Sequence, residues 1–189
     1  MPQFLDVALH AAQLKRMPRT GWQIRGAPSG GVPENVAAHS YGVVFLTMLL
    51  LDLDERPLDH GLALRLAVLH DLAESLVGDL PVTVSRFIPP DLKHTAERAA
   101  IAEIVEPLPM AARYIEIWEC YDDGSAPEAQ VVKDADKLDM MIQAYMYEQA
   151  GQRNLDEFWE VVSGNAFYTE GARTLFEELL RRRAALAAR

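Results

Sequence analysis

Histidine and carboxylate side chains that could bind a metal ion occur in three otherwise apolar stretches of this 189-residue chain. In chain order they are His39; then His70, Asp71, Glu74 and Asp79; then Asp134, Asp136 and Asp139. Imidazole nitrogens and carboxylate oxygens together suit first-row transition ions. The three stretches therefore predict a site for a divalent ion such as Mn, Co, Fe, Ni or Zn.

The middle stretch carries the most detailed spacing. If residues 58–77 form one helix, His70 and Glu74 lie one turn apart on a shared face. Asp71 is then about 100° further round, where a cation between the two faces could contact both side chains. Asp79 follows Gly78, a residue type that commonly ends helices, and lies at the same end as Glu74.

Each stretch also has an ordinary structural explanation. A single histidine among apolar residues is usually a hydrogen-bonded core residue. The aspartates of the third stretch alternate with Lys133 and Lys137, as charges do on an exposed salt-bridged helix face. Because all three stretches occur in one chain, the metal-site interpretation is favoured over three separate accidents.

The elements that would position these residues are all helical. Apolar residues recur at helical spacing, whereas no stretch shows sustained alternation with β-branched residues. We expect an all-α helical bundle forming one domain over residues 1–189, with a motif-bearing core at about 34–150 and C-terminal helices at 154–188 packed on it. The predicted helices are 4–15, 34–51, 58–77, one opening at Pro89-Pro90-Asp91, 109–121, 127–150 and 169–188.

The amino-acid composition, above all its net negative charge, excludes several kinds of binding partner. The chain has 18 Lys+Arg against 28 Asp+Glu, a net charge of −10, and one cysteine, so a disulfide scaffold is excluded. The acidic balance argues against a nucleic-acid polymer or an anionic membrane as partner. No apolar run approaches the ~20 residues of a membrane span, and no secretory signal is visible. We expect a cytoplasmic protein, in which a small anionic substrate would need local cations.

The order of His39, the adjacent His70-Asp71 pair and Asp136 resembles the signature of the HD domain, a superfamily of all-α, metal-dependent phosphohydrolases. The stretch 70–79 reads His-Asp-x-x-Glu-x-x-x-Gly-Asp and closely resembles the HD-domain 5′-deoxynucleotidases. Further similar positions are Gly21-Trp22 with Arg25, Glu34-Asn35-Val36, and Val132-Lys133 ahead of Asp136. The resemblance covers roughly residues 12–150 and, more weakly, the remaining helix.

The resemblance implies a role for each matching residue. The metal ligands would be His39, His70, Asp71 and Asp136, the last preferred over Asp134 and Asp139 because it occupies the family's place after Lys-x-x. Glu74 and Asp79 would handle the water and the leaving group. An arginine in the loop before the first histidine would bind phosphate, and Arg19 and Arg25 are both candidates. Trp22 could pack under a base or sugar, or could be a buried structural residue.

Three features qualify the resemblance. The loop 27–32 looks longer than usual for the family, so the place of Arg25 is less well defined. Ala38 stands where relatives often carry an acid, which predicts that a supporting contact to His39 is missing. Only His94 lies between the His-Asp pair and Asp136, so we expect one catalytic metal; His10, His60 and His94 are expected at the surface or at helix caps.

The activity implied by the resemblance is release of phosphate from a 2′-deoxynucleoside 5′-monophosphate by a metal-activated water. Two alternatives stay open at this point. One is a phosphohydrolase of the same fold that acts on another small phosphate or diphosphate ester. The other is a catalytically weak module that binds a nucleotide. The resemblance also implies a homodimer.

Overall fold

Helices make up most of the computed structural model, which describes residues 2–81, 84, 87–163 and 167–188. Residues 1 and 189, the two ends of the predicted domain, lie outside these ranges. Within them no β-strand forms, and an isolated bridge pairs Pro18 with Asn35. The all-α prediction is confirmed. The helices are α1 (Pro2–Gln13), α2 (Thr20–Ile24), α3 (Val36–Leu53), α4 (His60–Leu69), α5 (Glu74–Val77), α6 (Pro90–Val105), α7 (Ala111–Asp123), α8 (Pro127–Gln149), α9 (Asp156–Ser163) and α10 (Glu170–Ala187).

Helix α3 lies at the centre of the bundle and packs against α4, α8 and α10. Its side chains Val36, Val43 and Leu50 recur every seven residues and are fully or almost fully buried, so one stripe of the helix faces the core. The Asn35 side chain caps the helix by accepting a hydrogen bond from the Ala38 N–H at 2.9 Å. This arrangement holds His39, in the first turn of α3, inside the bundle.

By length and composition α3 would also be long and apolar enough to cross a membrane, with a mean hydropathy of 1.7 over 18 residues. Core helices of soluble proteins pass the same test. Since one side of α3 packs against three other helices and carries the buried polar side chains His39 and Thr47, we assign that side to the core.

The helix predicted over 58–77 is two helices, so that prediction is wrong in one respect. Between α4 and α5, the Leu72 N–H donates to the Leu69 carbonyl at 3.1 Å and the Glu74 N–H donates to the Asp71 carbonyl at 3.1 Å, as in a tighter, 3₁₀-type turn. The His70 ring donates a hydrogen bond from Nδ1 to the Ala67 carbonyl at 2.8 Å. In an uninterrupted α-helix that carbonyl would accept from the Asp71 N–H. The side chain of the motif thus replaces a backbone bond of the helix.

A short pairing of two loops brings the start of α2 to the start of α3. The Arg19 N–H donates to the Glu34 carbonyl and the Val36 N–H donates to the Met17 carbonyl, both at 2.8 Å. At its other side, the Thr20 hydroxyl donates to the Asp79 carbonyl at 2.9 Å. These bonds place Arg19 between α3 and the segment that follows α5.

Asp134 of α8 fixes the N-terminus of α10. Its fully buried carboxylate accepts from the Thr169 N–H at 2.8 Å, the Thr169 hydroxyl at 2.9 Å and the Tyr168 N–H at 3.1 Å. Lys137 lies 3.6 Å away and offsets the buried charge. Asp134 therefore serves the fold by holding the start of α10 on α8.

We expect Asp134→Ala to lower the free energy of unfolding by about 3 kcal/mol, because the N–H groups of residues 168 and 169 lose a charged acceptor. Urea denaturation measures this loss. The exposed Asp52 on α3 is the matched control, and Asp52→Ala should change stability by about 0.5 kcal/mol or less. Equal small losses in both variants, or a folded Asp134→Ala protein that no longer binds metal, would contradict the structural role.

Candidate metal centre

Four donor atoms from three parts of the chain converge at one point. His39 comes from α3, His70 and Asp71 from the turn after α4, and Asp136 from α8. The His39 Nε2 lies 3.1 Å from Asp136 Oδ1, 3.5 Å from Asp71 Oδ2 and 3.5 Å from His70 Nε2. The His70 Nε2 lies 3.3 Å from the same Asp71 oxygen. The structure thus brings together all four residues predicted as ligands.

Both imidazoles are oriented by their other nitrogen. The His39 Nδ1 lies 2.7 Å from Asp139 Oδ2, and the His70 Nδ1 lies 2.8 Å from the Ala67 carbonyl oxygen. Each Nε2 is therefore the nitrogen left to face the centre, as in histidines that bind metals. Suitable ligand atoms of His39, His70 and Asp136 lie within 4.8 Å of one another. The donor set, its spacing and its orientation fit a single transition ion.

Because residue 38 is an alanine and not an acid, a supporting carboxylate for His39 was expected to be missing. That expectation is wrong, since another residue supplies the carboxylate. Asp139 supplies the carboxylate from α8, one helical turn after Asp136, so both acids face α3. Gly42 on α3 makes room for it, since a Cβ at position 42 would collide with the Asp139 carboxylate. The spacing of Asp136 and Asp139 was the available signal in the sequence, but only the packing of α3 on α8 shows which carboxylate meets which nitrogen.

Tyr121 of α7 is a further part of the centre that sequence reasoning missed. Its hydroxyl donates to Asp136 Oδ2 at 3.1 Å, and its ring packs edge-on against His70 with 5.4 Å between ring centroids. Burial and the neighbouring Asp136 raise the pKa of Tyr121 well above its usual value, so the phenol keeps its proton and can donate. No local spacing signals this residue, because it reaches the site from a separate helix.

Glu74 and Asp79 flank the centre but differ in their surroundings. Glu74 is buried, and burial together with the charges of Asp71 and Asp79 raises the pKa of its carboxyl to about 10. Its Oε2 has no hydrogen-bond partner among the described residues. Asp79 accepts from the backbone N–H of Thr20 and lies 3.7 Å from Arg19, so it also holds the start of α2.

The two candidate arginines are in different places. Arg19 lies 3.3 Å from Asp71 and 3.7 Å from Asp79, at the centre itself. Arg25 is held in a two-point ion pair by Glu157 of α9, with its Nε 2.6 Å from the Glu157 Oε1. Both line the cavity, but Arg19 alone of the two directly contacts a predicted metal ligand.

The cavity at the centre has a volume of about 500 Å³, which suits a small molecule. One side of it is formed by α2 and α9, where Trp22 packs against Phe158 with 4.3 Å between ring centroids. Trp22 is 2% exposed and its indole N–H donates to Glu34 at 3.0 Å, which fits the structural interpretation. The other side includes Lys93, Glu97 and Trp118, from α6 and α7.

The remaining histidines lie away from the four ligands. His10 is on α1 and His60 is exposed at the first position of α4. His94 of α6 is half-buried and stacks on Trp118 with 5.6 Å between ring centroids. None of the three lines the cavity in the described part of the chain.

Comparisons with known proteins agree with this geometry. Residues 11–174 match the HD domain family. The chain is 35% identical over 179 residues to 5′-deoxynucleotidase HDDC2 of Mus musculus, covering 93% of this chain and 86% of that protein. It is 37% identical over 163 residues to 5′-deoxynucleotidase hdd1 of Schizosaccharomyces pombe, covering 82% of this chain and 77% of that protein. A solved structure of a conserved hypothetical protein from Pyrococcus furiosus is 39% identical, with a TM-score of 0.77 and coverage of 94% of this chain and 99% of that one.

We expect Asp139→Asn to lower the affinity for a divalent ion by about 10–100-fold, because the His39 ring loses the carboxylate that orients it. Gly42→Ala should act in the same direction by displacing Asp139. Titration of Zn²⁺ or Mn²⁺ into metal-stripped protein measures both effects. In the double variant the two losses should not add, since both act on one contact.

The control for Gly42→Ala is Gly171→Ala on α10, where an added Cβ meets its neighbours at an ordinary 3.4 Å. That variant should keep the affinity for the metal. Full metal affinity in Gly42→Ala would contradict the proposed dependence on Asp139.

Metal affinity should also depend on pH above the usual range of histidine. Burial and Arg19 disfavour the charged ring, but hydrogen bonds to Asp136 and Asp139 outweigh them and raise the pKa of His39 to about 9. A ligand imidazole must give up this proton, and, despite burial, Asp71 raises the pKa of the second imidazole, His70, as well. The affinity should therefore rise by at least about tenfold per pH unit between about pH 7 and 9. An unshifted histidine would give no such rise above about pH 6.5.

Calorimetric titrations at about pH 7 in buffers of different ionisation enthalpy count the released protons. At least one proton should leave per bound ion, and Asp139→Asn should reduce that number because the ring loses an acceptor. An affinity that is flat from neutral pH to about pH 9 would show that His39 is already neutral in the metal-free protein.

Proposed function

This chain belongs to the HD-domain family, and we propose that it is a metal-dependent phosphohydrolase that releases phosphate from 2′-deoxynucleoside 5′-monophosphates. The observation that carries the proposal is the convergence of His39, His70, Asp71 and Asp136 beside Arg19 in one cavity. Relatives of at least 34% identity over most of the chain are named 5′-deoxynucleotidases, which supports the substrate class.

His39, His70, Asp71 and Asp136 would hold one divalent ion. Their two nitrogen and two carboxylate donors are compatible with Co, Mn, Fe, Ni or Zn, and the identity of the ion stays a prediction. When bound, such an ion neutralises charge on a phosphoryl oxygen and lowers the pKa of a bound water.

Arg19 is the residue we assign to the substrate phosphate. Its guanidinium already lies among carboxylates at the centre, where a phosphate could replace Asp71 or Asp79 as its partner. Arg25 is occupied by Glu157 and lies at the α2–α9 side of the cavity. We therefore assign Arg25 to fixing α2 against α9, and Arg19 to binding.

Glu74 is the residue we assign to proton transfer. Its buried carboxyl has a raised pKa and an oxygen with no partner among the described residues, so it can hold a proton and exchange it with a water molecule or an ester oxygen. Asp79 holds Arg19 and Thr20 in place. A role for Asp79 in protonating the departing 5′-oxygen stays a prediction.

The expected surroundings of the protein are consistent with this activity. The net charge of −10 argues against a nucleic-acid polymer or an anionic membrane as partner, whereas a small nucleotide could be attracted by local cations such as Arg19. We also propose a homodimer. Helix α3 exposes five large apolar side chains at helical spacing, which supports a symmetric contact; they are Tyr41, Phe45, Met48, Leu49 and Leu53. A cytoplasmic location and a single domain over 1–189 stay predictions.

The test is phosphate release from metal-stripped protein that is resupplied with single ions. Paired deoxyribonucleoside and ribonucleoside 5′-monophosphates serve as substrates, and a diphosphate ester and a cyclic nucleotide serve as comparisons. We expect metal-dependent turnover that is fastest with the deoxyribonucleoside monophosphates. His70→Ala and Asp71→Ala should each lower turnover by about a thousandfold or more, since each removes a ligand.

His60→Ala is the matched control, because His60 is an exposed histidine on α4 and lies outside the cavity. It should keep full activity. Faster release from another phosphate ester would replace the proposed substrate with that ester. Failure of every substrate with each ion supplied would instead indicate a module that binds nucleotides without hydrolysing them.

A further inference from the structure

Among the described residues, five cationic side chains line the cavity: Arg19, Arg25, Lys93, Lys133 and Lys137. Three of these side chains make contacts that hold the fold together. Arg25 is paired with Glu157, and Lys137 lies 3.6 Å from the buried Asp134 and over two aromatic rings. Lys133 donates to the Asp122 carbonyl at 3.1 Å and lies 5.0 Å from the centre of the Tyr121 ring. Arg19 and Lys93 are therefore the cations best placed to receive an anion.

Arg19 alone does not make the centre attractive to a phosphate dianion. The carboxylates of Asp71 and Asp136 would cancel the charge of a divalent ion, and Asp79 cancels the charge of Arg19. A phosphate monoester, which carries close to two negative charges near neutral pH, would then meet a centre without net positive charge. A further cation beside the metal ligands would strengthen the attraction for such a substrate.

Lys93 of α6 is in the right place to supply it. Its ion pair is with Glu97, one helical turn away at 3.4 Å, and its side chain is 43% exposed. Burial alone would lower the pKa of Lys93, but the nearby carboxylates, Glu97 first, raise it, so a charged ammonium lines the cavity. Helix α6 packs on α5, which begins at Glu74.

We propose that Lys93 is a second phosphate-binding residue, which exchanges Glu97 for the phosphate of the substrate. The inference rests on the proposed function, because it assumes a phosphate monoester at the centre. Ion pairs between partly exposed side chains one helical turn apart stabilise a fold only weakly, so little stability is lost when the ammonium changes partner. Glu97 holds Lys93 beside the cavity until an anion enters.

Two variants separate this role from a structural one. Lys93→Met removes the cation, whereas Glu97→Gln breaks the same ion pair and leaves the cation free. If the pair only stabilises α6, both variants should have the same effect. If Lys93 binds phosphate, Lys93→Met should weaken binding by about tenfold and Glu97→Gln should strengthen it, because the ammonium loses its competing carboxylate.

The probe is inorganic phosphate, titrated by calorimetry into the Mn²⁺-loaded protein. KM and kcat for a deoxyribonucleoside 5′-monophosphate are measured in parallel, and we expect Lys93→Met to act mainly on KM. Lys93→Arg should restore most of the affinity because it keeps the charge. Lys15→Met, at an exposed lysine outside the cavity, controls for the change in net charge.

Equal weakening by Lys93→Met and Glu97→Gln would overturn the proposal, as would unchanged phosphate affinity in Lys93→Met with metal affinity intact. Opposite effects of the two variants on phosphate binding would support it even if no nucleotide were hydrolysed. In that case the proposed function would fail separately, because phosphate binding does not depend on turnover.

Discussion

Carboxylates that share a small buried volume repel one another, and the structure around the cavity is organised to offset that repulsion. Asp71, Glu74, Asp79 and Asp136 come from three parts of the chain and meet at one end of the bundle. Arg19 and the two imidazoles stabilise Asp71, whose pKa lies well below its usual range, while Glu74 responds by holding a proton. A bound divalent ion would complete this compensation, which is why the acidic site and the metal belong to one explanation.

The packing of the helices also fixes the orientation of the two histidine rings at the centre. Helices α3 and α8 pack closely because position 42 is a glycine, and the space it leaves is filled by the Asp139 carboxylate. The turn after α4 uses a side chain–backbone bond, from His70 to Ala67, in place of a helical one. Each histidine is thus held through its Nδ1, which leaves its Nε2 to face the centre.

The sequence was sufficient for the class of fold, because periodic apolar residues are a local pattern. Its resemblance to the HD domain singled out the four candidate ligands, which converge in the structure. It was insufficient where a residue's partner comes from another helix. Asp134, Asp136 and Asp139 look alike on α8, yet one caps α10, one faces the centre and one orients His39. The continuous helix expected over 58–77 was wrong because a hydrogen bond from the His70 ring competes with the backbone.

The sequence by itself determined which functional groups are available. These are two imidazoles, several Asp and Glu carboxylates, and Arg and Lys side chains on helices with apolar faces. Only the tertiary structure decided how those groups are used. It placed Arg19 among the carboxylates of the centre and paired Arg25 with Glu157. It also brought the Tyr121 hydroxyl to Asp136 and placed Lys93 at the cavity in an ion pair that can exchange partners. The physical reason is that hydrogen bonds and charge interactions act over a few ångströms in space, and residues far apart in the chain become neighbours only when the helices pack.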